Sequence, residues 1–457
     1  MNNRIVAIAC GMKEPKKNYS IISKRNLYLN YGLLGLCTIL KSKGYNIMQF
    51  QGEYQEPKEL IHVINDTEFD LRKIKMPILI SIVSFLSIEW CYEFTKILKT
   101  EYGLTCILGG KYVVDGNVDW LKKKLPYIDL FVEGAGEDKI EDALNHLNYD
   151  AVAESNNYYT QLDYSLLYNY KEYNPSIELA RGCGRGCAYC ADGNRKRTAL
   201  KPPENIIEEL YLFEKIYDYE HINLYYQMAT FQVNYEWIKK YKKYIGDLKK
   251  IINWRCTSRI DVIATEMLPQ LAEIGLKVID LGLESASPKQ LQLMRKTNEP
   301  EKYLRKAEEI LRIAYECGIW VKLNILLMAG ETVKTIEETQ QWLNRNKKYI
   351  KGISSNCETI YGPHNKFIDD LKPLGASLVK DDALMRKGYS YINLSEEIDY
   401  SLAREYARNL SKSVMSEEDY FDLKKYGYFS RYYEKEQFYS DLQRVNKNKL
   451  PFEIKRG

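Results

Sequence analysis

Histidine is scarce in this chain, with four in 457 residues and none close in sequence to its three tightest-spaced cysteines. No second C-x2-C or H-x3-H pair follows those cysteines, which argues against a four-ligand zinc site. No apolar run reaches the roughly 18 residues of a membrane-spanning helix. The opening Met1-Asn-Asn-Arg lacks signal-peptide organisation. The charge is nearly balanced, with 66 basic against 62 acidic side chains, so it implies no polyanionic partner. No internal repeat or long low-complexity tract is evident. The expectation is a cytoplasmic, soluble protein whose ten cysteines stay reduced.

Present instead is the run Cys183-Gly-Arg-Gly-Cys187-Ala-Tyr-Cys190. A C-x3-C-x2-C spacing gathers three thiolates on one short loop, enough for three corners of a cuboidal iron–sulfur cluster. Such clusters are normally held by four cysteines. A three-cysteine loop therefore leaves one iron open to an external chelating ligand. Gly182, Gly184 and Gly186 permit the backbone angles that wrapping a cluster requires.

The strand and helix signals divide the chain. Residues 1–150 read as an open α/β unit. Its buried strands are expected at Arg4–Cys10, Tyr45–Phe50, Ile78–Val83, Cys106–Leu108 and Leu130–Val132, separated by helices. Gly109-Gly110 and Glu133-Gly-Ala-Gly-Glu137 end two of these strands, and in open α/β sheets that edge binds ligands. Residues 151–175 are polar and Tyr-rich, and read as a linker. Residues 176–362 alternate six strands with helices, which predicts a partial (β/α)6 barrel with chemistry at the strand C-termini. The cysteine loop follows the first of these strands. Residues 363–457 read as mostly helical.

The loop resembles the signature of the radical S-adenosylmethionine (SAM) superfamily. That resemblance implies a [4Fe-4S] cluster held by Cys183, Cys187 and Cys190, with SAM on the open iron and Tyr189 as the motif's aromatic residue. Further candidates for SAM contact follow in family order. Glu284 and Ser285 stand in Gly282-Leu-Glu-Ser, at the place of a ribose-binding acid. Asn324 to Gly330 resembles the strand whose backbone meets adenine. Arg259 could fork onto the SAM carboxylate or pair with Asp261. Gln227 stands where relatives carry acidic residues near the SAM amino group.

The first domain resembles the Rossmann-like cobalamin-binding domain of one large subfamily, through Ser84-Phe-Leu, Gly109-Gly110 and the Gly134 turn. The D-x-H-x-x-G motif of other cobalamin proteins is missing. The resemblance implies a SAM-cleaving enzyme acting on a peptide or small natural product, reduced by a flavodoxin- or ferredoxin-like partner, with cobalamin-dependent C-methylation as the leading outcome. The rival outcome is peptide epimerisation, with Cys357, expected to face the active site, as hydrogen-atom donor. A third is tRNA methylthiolation through a second cluster on Cys10, Cys37, Cys91 and Cys106, although no basic RNA-binding module is evident.

Overall fold

The computed structural model describes residues 3–13, 21–114, 116–147, 149, 161–190, 193–362, 365–380 and 388–454. It divides into two compact units. The first holds 1–173 together with 361–364 and 381–390, and the second holds the remainder.

In the first unit five parallel strands are β1 (Arg4–Ala9), β2 (Asn46–Gln51), β3 (Ile78–Ser81), β4 (Cys106–Gly109) and β5 (Leu130–Phe131). Their spatial order is β2-β1-β3-β4-β5, with Ile8 opposite both Phe50 and Ile80. This doubly wound order places a ligand-binding crevice at the strand C-termini. The strands are almost continuously apolar because helices cover both faces. Val6, Ile8, Phe50, Ile78, Ile80 and Leu108 are buried with Trp90, Phe94 and Leu98 of the helix Ile88–Tyr102.

The expected linker is a departure. Residues 150–160 lie outside the described residues, but 161–173 belong to the first unit. Tyr168 donates its N–H to the Gln49 carbonyl at 2.9 Å and stacks on Phe50 at 5.1 Å. Tyr164 and Tyr173 of this stretch bury their rings, with the hydroxyl as a polar handle.

The second unit carries β6 (Ser176–Glu178), β7 (His221–Gln227), β8 (Ile251–Arg259), β9 (Leu276–Glu284), β10 (Trp320–Leu327) and β11 (Gly352–Cys357). All are parallel and lie in sequential order, and the helices Pro203–Ile216, Tyr235–Ile245, Pro300–Glu316 and Val333–Asn346 lie between successive strands. This is the expected six-stranded partial barrel. Its inward side is polar in the lower half. Arg255 forks onto Asp280 with both N···O distances 2.6 Å, and Lys322 reaches the same carboxylate at 2.8 Å. The two cations hold the Asp280 carboxyl well below the usual range against the opposing effect of burial.

The C-terminal segment closes that lower end. Arg255 also donates to the Leu423 carbonyl and lies 4.8 Å over the Tyr428 ring. Around it Tyr420, Phe421, Phe429, Phe438 and Phe452 form one aromatic cluster. The helices Tyr400–Lys412, Glu417–Lys425 and Lys435–Leu442 agree with the helical expectation. A short antiparallel pairing of Ser377 with Asn393 and Leu378 with Ile392 was not foreseen.

Candidate functional site

The cysteine loop leaves β6 at the C-terminal mouth of the barrel. It is pinned by Cys183 N–H to the Arg195 carbonyl (2.9 Å), Gly186 N–H to Gly193 (2.8 Å) and Ala188 N–H to Met294 (3.0 Å). Gly182, Gly184 and Gly186 all have φ near +70°. At Gly182 the glycine is required twice over, since a Cβ there would also stand 2.3 Å from the Lys196 carbonyl oxygen.

The three thiols differ in surroundings. Cys190 is exposed, Cys183 is half-buried, and Cys187 is buried. The Thr230 hydroxyl lies 3.1 Å from Cys183 Sγ. Arg259 directs Nη1 at Cys187 Sγ, 2.7 Å away. Its Nε and Nη2 meet the Asp261 carboxylate at 2.9 and 3.1 Å, and Nη2 also meets the Lys296 carbonyl at 2.9 Å. The pair with Asp261, one of the two roles the sequence left open for Arg259, is present, and the Cys187 contact was not anticipated. Burial works against the guanidinium charge, and Asp261 outweighs it.

Glu284 ends β9 at a bulge, with φ of +66°, a conformation a non-glycine residue holds only when its surroundings impose it. Its Oε1 accepts from Lys296 Nζ at 3.0 Å, and Lys296 also reaches the Tyr189 hydroxyl at 3.3 Å. Gly282 makes room for this pair, because a Cβ there would lie 2.6 Å from Glu284 Oε1. Burial, then the Glu284 charge, push the Tyr189 phenol well up, so it stays a neutral donor. The structure thus brings Tyr189, Glu284, Arg259 and the cysteine loop together. Lys296 and Thr230, which join them, were missed in the sequence, where neither stands in a recognisable motif.

The other candidates have partners of their own. Ser285 is wholly buried, with its hydroxyl 3.1 Å from that of Thr339 and accepting from Ser287 N–H. It shapes the strand-to-helix turn. Gln227 donates to the Ser176 hydroxyl at 3.2 Å, at the end of β7. Asn324 stands on β10 opposite Gly282 and Ser354. Gly330 has φ of +85° and donates its N–H to the Leu394 carbonyl. Beside it Glu331 is buried, hydrogen-bonded by Thr335, and raised by burial to about 8.

Cys357 departs from expectation. It pairs with Leu327, which shares a strand face with the buried Val321, Leu323 and Ile325. Side chains alternate along a strand, so Cys357 lies on this outer face, opposite that of Lys322 and Asn324. Ser355 donates its backbone N–H to the Ser411 hydroxyl of the helix Tyr400–Lys412 at 3.4 Å, and the Cys357 thiol lies close enough to Tyr400 to affect its ionisation. The register thus turns the thiol away from the face that carries Lys322 and Asn324.

In the first unit Ser84 caps the turn Phe85–Ser87 by accepting from Leu86 N–H at 3.2 Å. Gly110 has φ of +115°, and a Cβ on it would meet the Ile82 carbonyl oxygen at 2.3 Å. Gly134 has φ of +78° and donates its N–H to Val113. Val83 and Val114, at 46% and 40% exposure, lie along the same strand ends as Gly109 and Gly110. Cys91 and Cys106 belong to the sheet core with Cys10 packed against it, and Cys37 is likewise wholly buried, the positions of small core hydrophobes.

Comparison with known proteins converges on the same elements. Residues 177–343 match the Radical SAM superfamily. A tRNA-2-methylthio-N(6)-dimethylallyladenosine synthase from Protochlamydia amoebophila is 23% identical over 286 residues, 59% of this chain and 61% of that protein's own length. The radical SAM methyltransferase TsrM from Kitasatospora setae, solved with tryptophan substrate and a SAM analogue, superposes with a TM-score of 0.62 at 13% identity, covering 83% of this chain and 79% of TsrM. The cobalamin-dependent SAM radical enzyme OxsB, solved with aqua-cobalamin and SAM, superposes with a TM-score of 0.64 at 14% identity, covering 88% of this chain and 65% of OxsB. The segment from β6 to the helix Val333–Asn346, which carries the three-cysteine loop, is a radical SAM domain, and the fold of the chain is similar to those of the radical SAM enzymes TsrM and OxsB.

Proposed function

We propose that this enzyme holds a [4Fe-4S] cluster on Cys183, Cys187 and Cys190, binds SAM beside it, and acts with cobalamin to methylate carbon in a peptide or small natural product. The donor set supports the cluster: three thiols on one eight-residue loop, held by left-handed glycines and met by hydrogen-bonding partners at Cys183 and Cys187. Such a cluster, once reduced by a flavodoxin- or ferredoxin-like partner, supplies the electron that cleaves SAM and starts hydrogen abstraction from substrate. The Glu284 carboxylate, fixed by Lys296, would accept from the ribose hydroxyls, and the turn at Gly330 would offer backbone to the adenine.

Cobalamin would lie on the C-terminal edge of the first unit's sheet. Ser84, Gly109, Gly110 and Gly134 present backbone without bulky side chains there, and Val83 and Val114 supply apolar contact for a corrin. The chain's similarity in fold to TsrM and OxsB supports this reading, and no histidine of a D-x-H-x-x-G motif is called upon.

The observation that carries the proposal is the cysteine loop at the barrel mouth with its partners in place. The test is anaerobic reconstitution of the full chain. Expected are about four irons per chain, 5′-deoxyadenosine on reduction with SAM, and cobalamin retained through gel filtration. Absence of 5′-deoxyadenosine from an iron-loaded protein refutes SAM cleavage. Retention of no cobalamin refutes the methylation reading alone.

A further inference from the structure

The surroundings of the three thiols are unequal, and the inequality is built by one side chain. Arg259 is 6% exposed, and its Nε and Nη2 are committed to the Asp261 carboxylate and the Lys296 carbonyl. Because the fork is planar and rigid, those bonds leave Nη1 a single direction, onto Cys187 Sγ. Cys187 is the buried thiol of the loop, so little water competes for the contact. Cys190, by contrast, is exposed.

Hydrogen bonds to ligating sulfur, local charge and solvent exposure are the means by which a protein sets an iron–sulfur potential. A guanidinium against one ligand sulfur stabilises the reduced cluster, which carries one more negative charge, over the oxidised one. We infer that Arg259 is a positioning residue for the electron-transfer step: held by Asp261, it donates to Cys187 Sγ and raises the reduction potential of the cluster on this loop. The inference rests on the proposed cluster. The step is the transfer of one electron from the external reductant, dithionite or a reduced flavodoxin in an assay, to the oxidised cluster. No bond is made or broken and no proton moves.

The role differs from a fork onto the SAM carboxylate, which would leave the potential of the SAM-free cluster untouched. It also differs from scaffolding, which would be read in cluster loading and not in potential.

The experiment is an EPR-monitored redox titration, without SAM, of the anaerobically reconstituted full chain as wild type, Arg259→Gln and Arg259→Lys. Expected are equal iron contents, a midpoint displaced to more negative potential in Arg259→Gln, and a smaller displacement in Arg259→Lys, which keeps the charge but loses the planar fork. An unchanged midpoint in fully loaded Arg259→Gln overturns the inference. Loss of the cluster in both variants overturns it too, in favour of a scaffolding role. If only Arg259→Lys loads, its displacement decides, and an unchanged midpoint overturns the inference. A wild-type protein that shows no cluster signal defeats the proposed function itself, an outcome distinct from all of these.

Discussion

Replacement of Lys296 by Met tests the electrostatic design of the barrel mouth. Lys296 Nζ sits 3.0 Å from Glu284 Oε1, and their side chains are 2% and 12% exposed. Met preserves the volume of the stem and removes the charge. What remains is a carboxylate on a strained, left-handed residue, with the Tyr189 and Tyr303 hydroxyls nearby. Breaking a buried pair by removing one partner costs about 3–5 kcal/mol, because the surviving charge is left uncompensated. The 12% exposure of Glu284 lets water reach it, so the lower end, about 3 kcal/mol, is expected. For a domain of this size that is a fall of roughly 6–12 °C in the unfolding midpoint of the second unit. Scanning calorimetry of the ligand-free protein would read it. The double variant Lys296→Met with Glu284→Gln should recover most of the loss, since no unpaired charge is then buried. A loss below about 1 kcal/mol, the value of an exposed pair, would refute the reasoning. So would a double variant no more stable than the single one.

Two further outcomes follow from the same geometry. Burial raises the Glu331 carboxyl from its ordinary 4.5 to about 8. The folded state therefore binds a proton the unfolded chain has released, and stability falls as pH rises between those values and levels off above. Glu331→Gln keeps an acceptor for Thr335 without the titration, so its stability relative to wild type should climb from pH 5 to pH 8. Urea unfolding at several pH values checks this, and a pH-independent difference would contradict it. Cys357→Ala, on the outer face of β11, should change stability by no more than about 1 kcal/mol. It should also leave 5′-deoxyadenosine formation at the wild-type rate. A large fall in product with unchanged 5′-deoxyadenosine, read by mass spectrometry, would return Cys357 to the reaction.

Parts of the site were legible because they are local. The cysteine spacing, the glycines between them and the strand before them lie within fifteen residues, and short-range geometry decides what such a segment can hold. The parallel strands were legible for a related reason: strands covered on both faces must be almost continuously apolar, as Ile5–Ala9 and Ile78–Ile80 are. Other features were hidden. Ser354-Ser-Asn-Cys357 has no apolar alternation, so nothing in it tells which face Cys357 takes until β10 supplies the register. The segment 161–173 looked like a linker because tyrosine counts as polar in sequence and packs as an aromatic ring.

By itself the sequence determined that three thiols would share one loop after a barrel strand, and with it the class of chemistry. The tertiary structure alone decided the company those thiols keep: Thr230 at Cys183, Arg259 at Cys187, and Lys296 between Tyr189 and Glu284. These partners stand at or beyond the ends of three different strands, β7, β8 and β9, and lie 47, 72, 107 and 12 residues from the groups they meet along the chain. Only the parallel ordering of the barrel strands brings their C-termini to one mouth, where a side chain's role depends on what it meets.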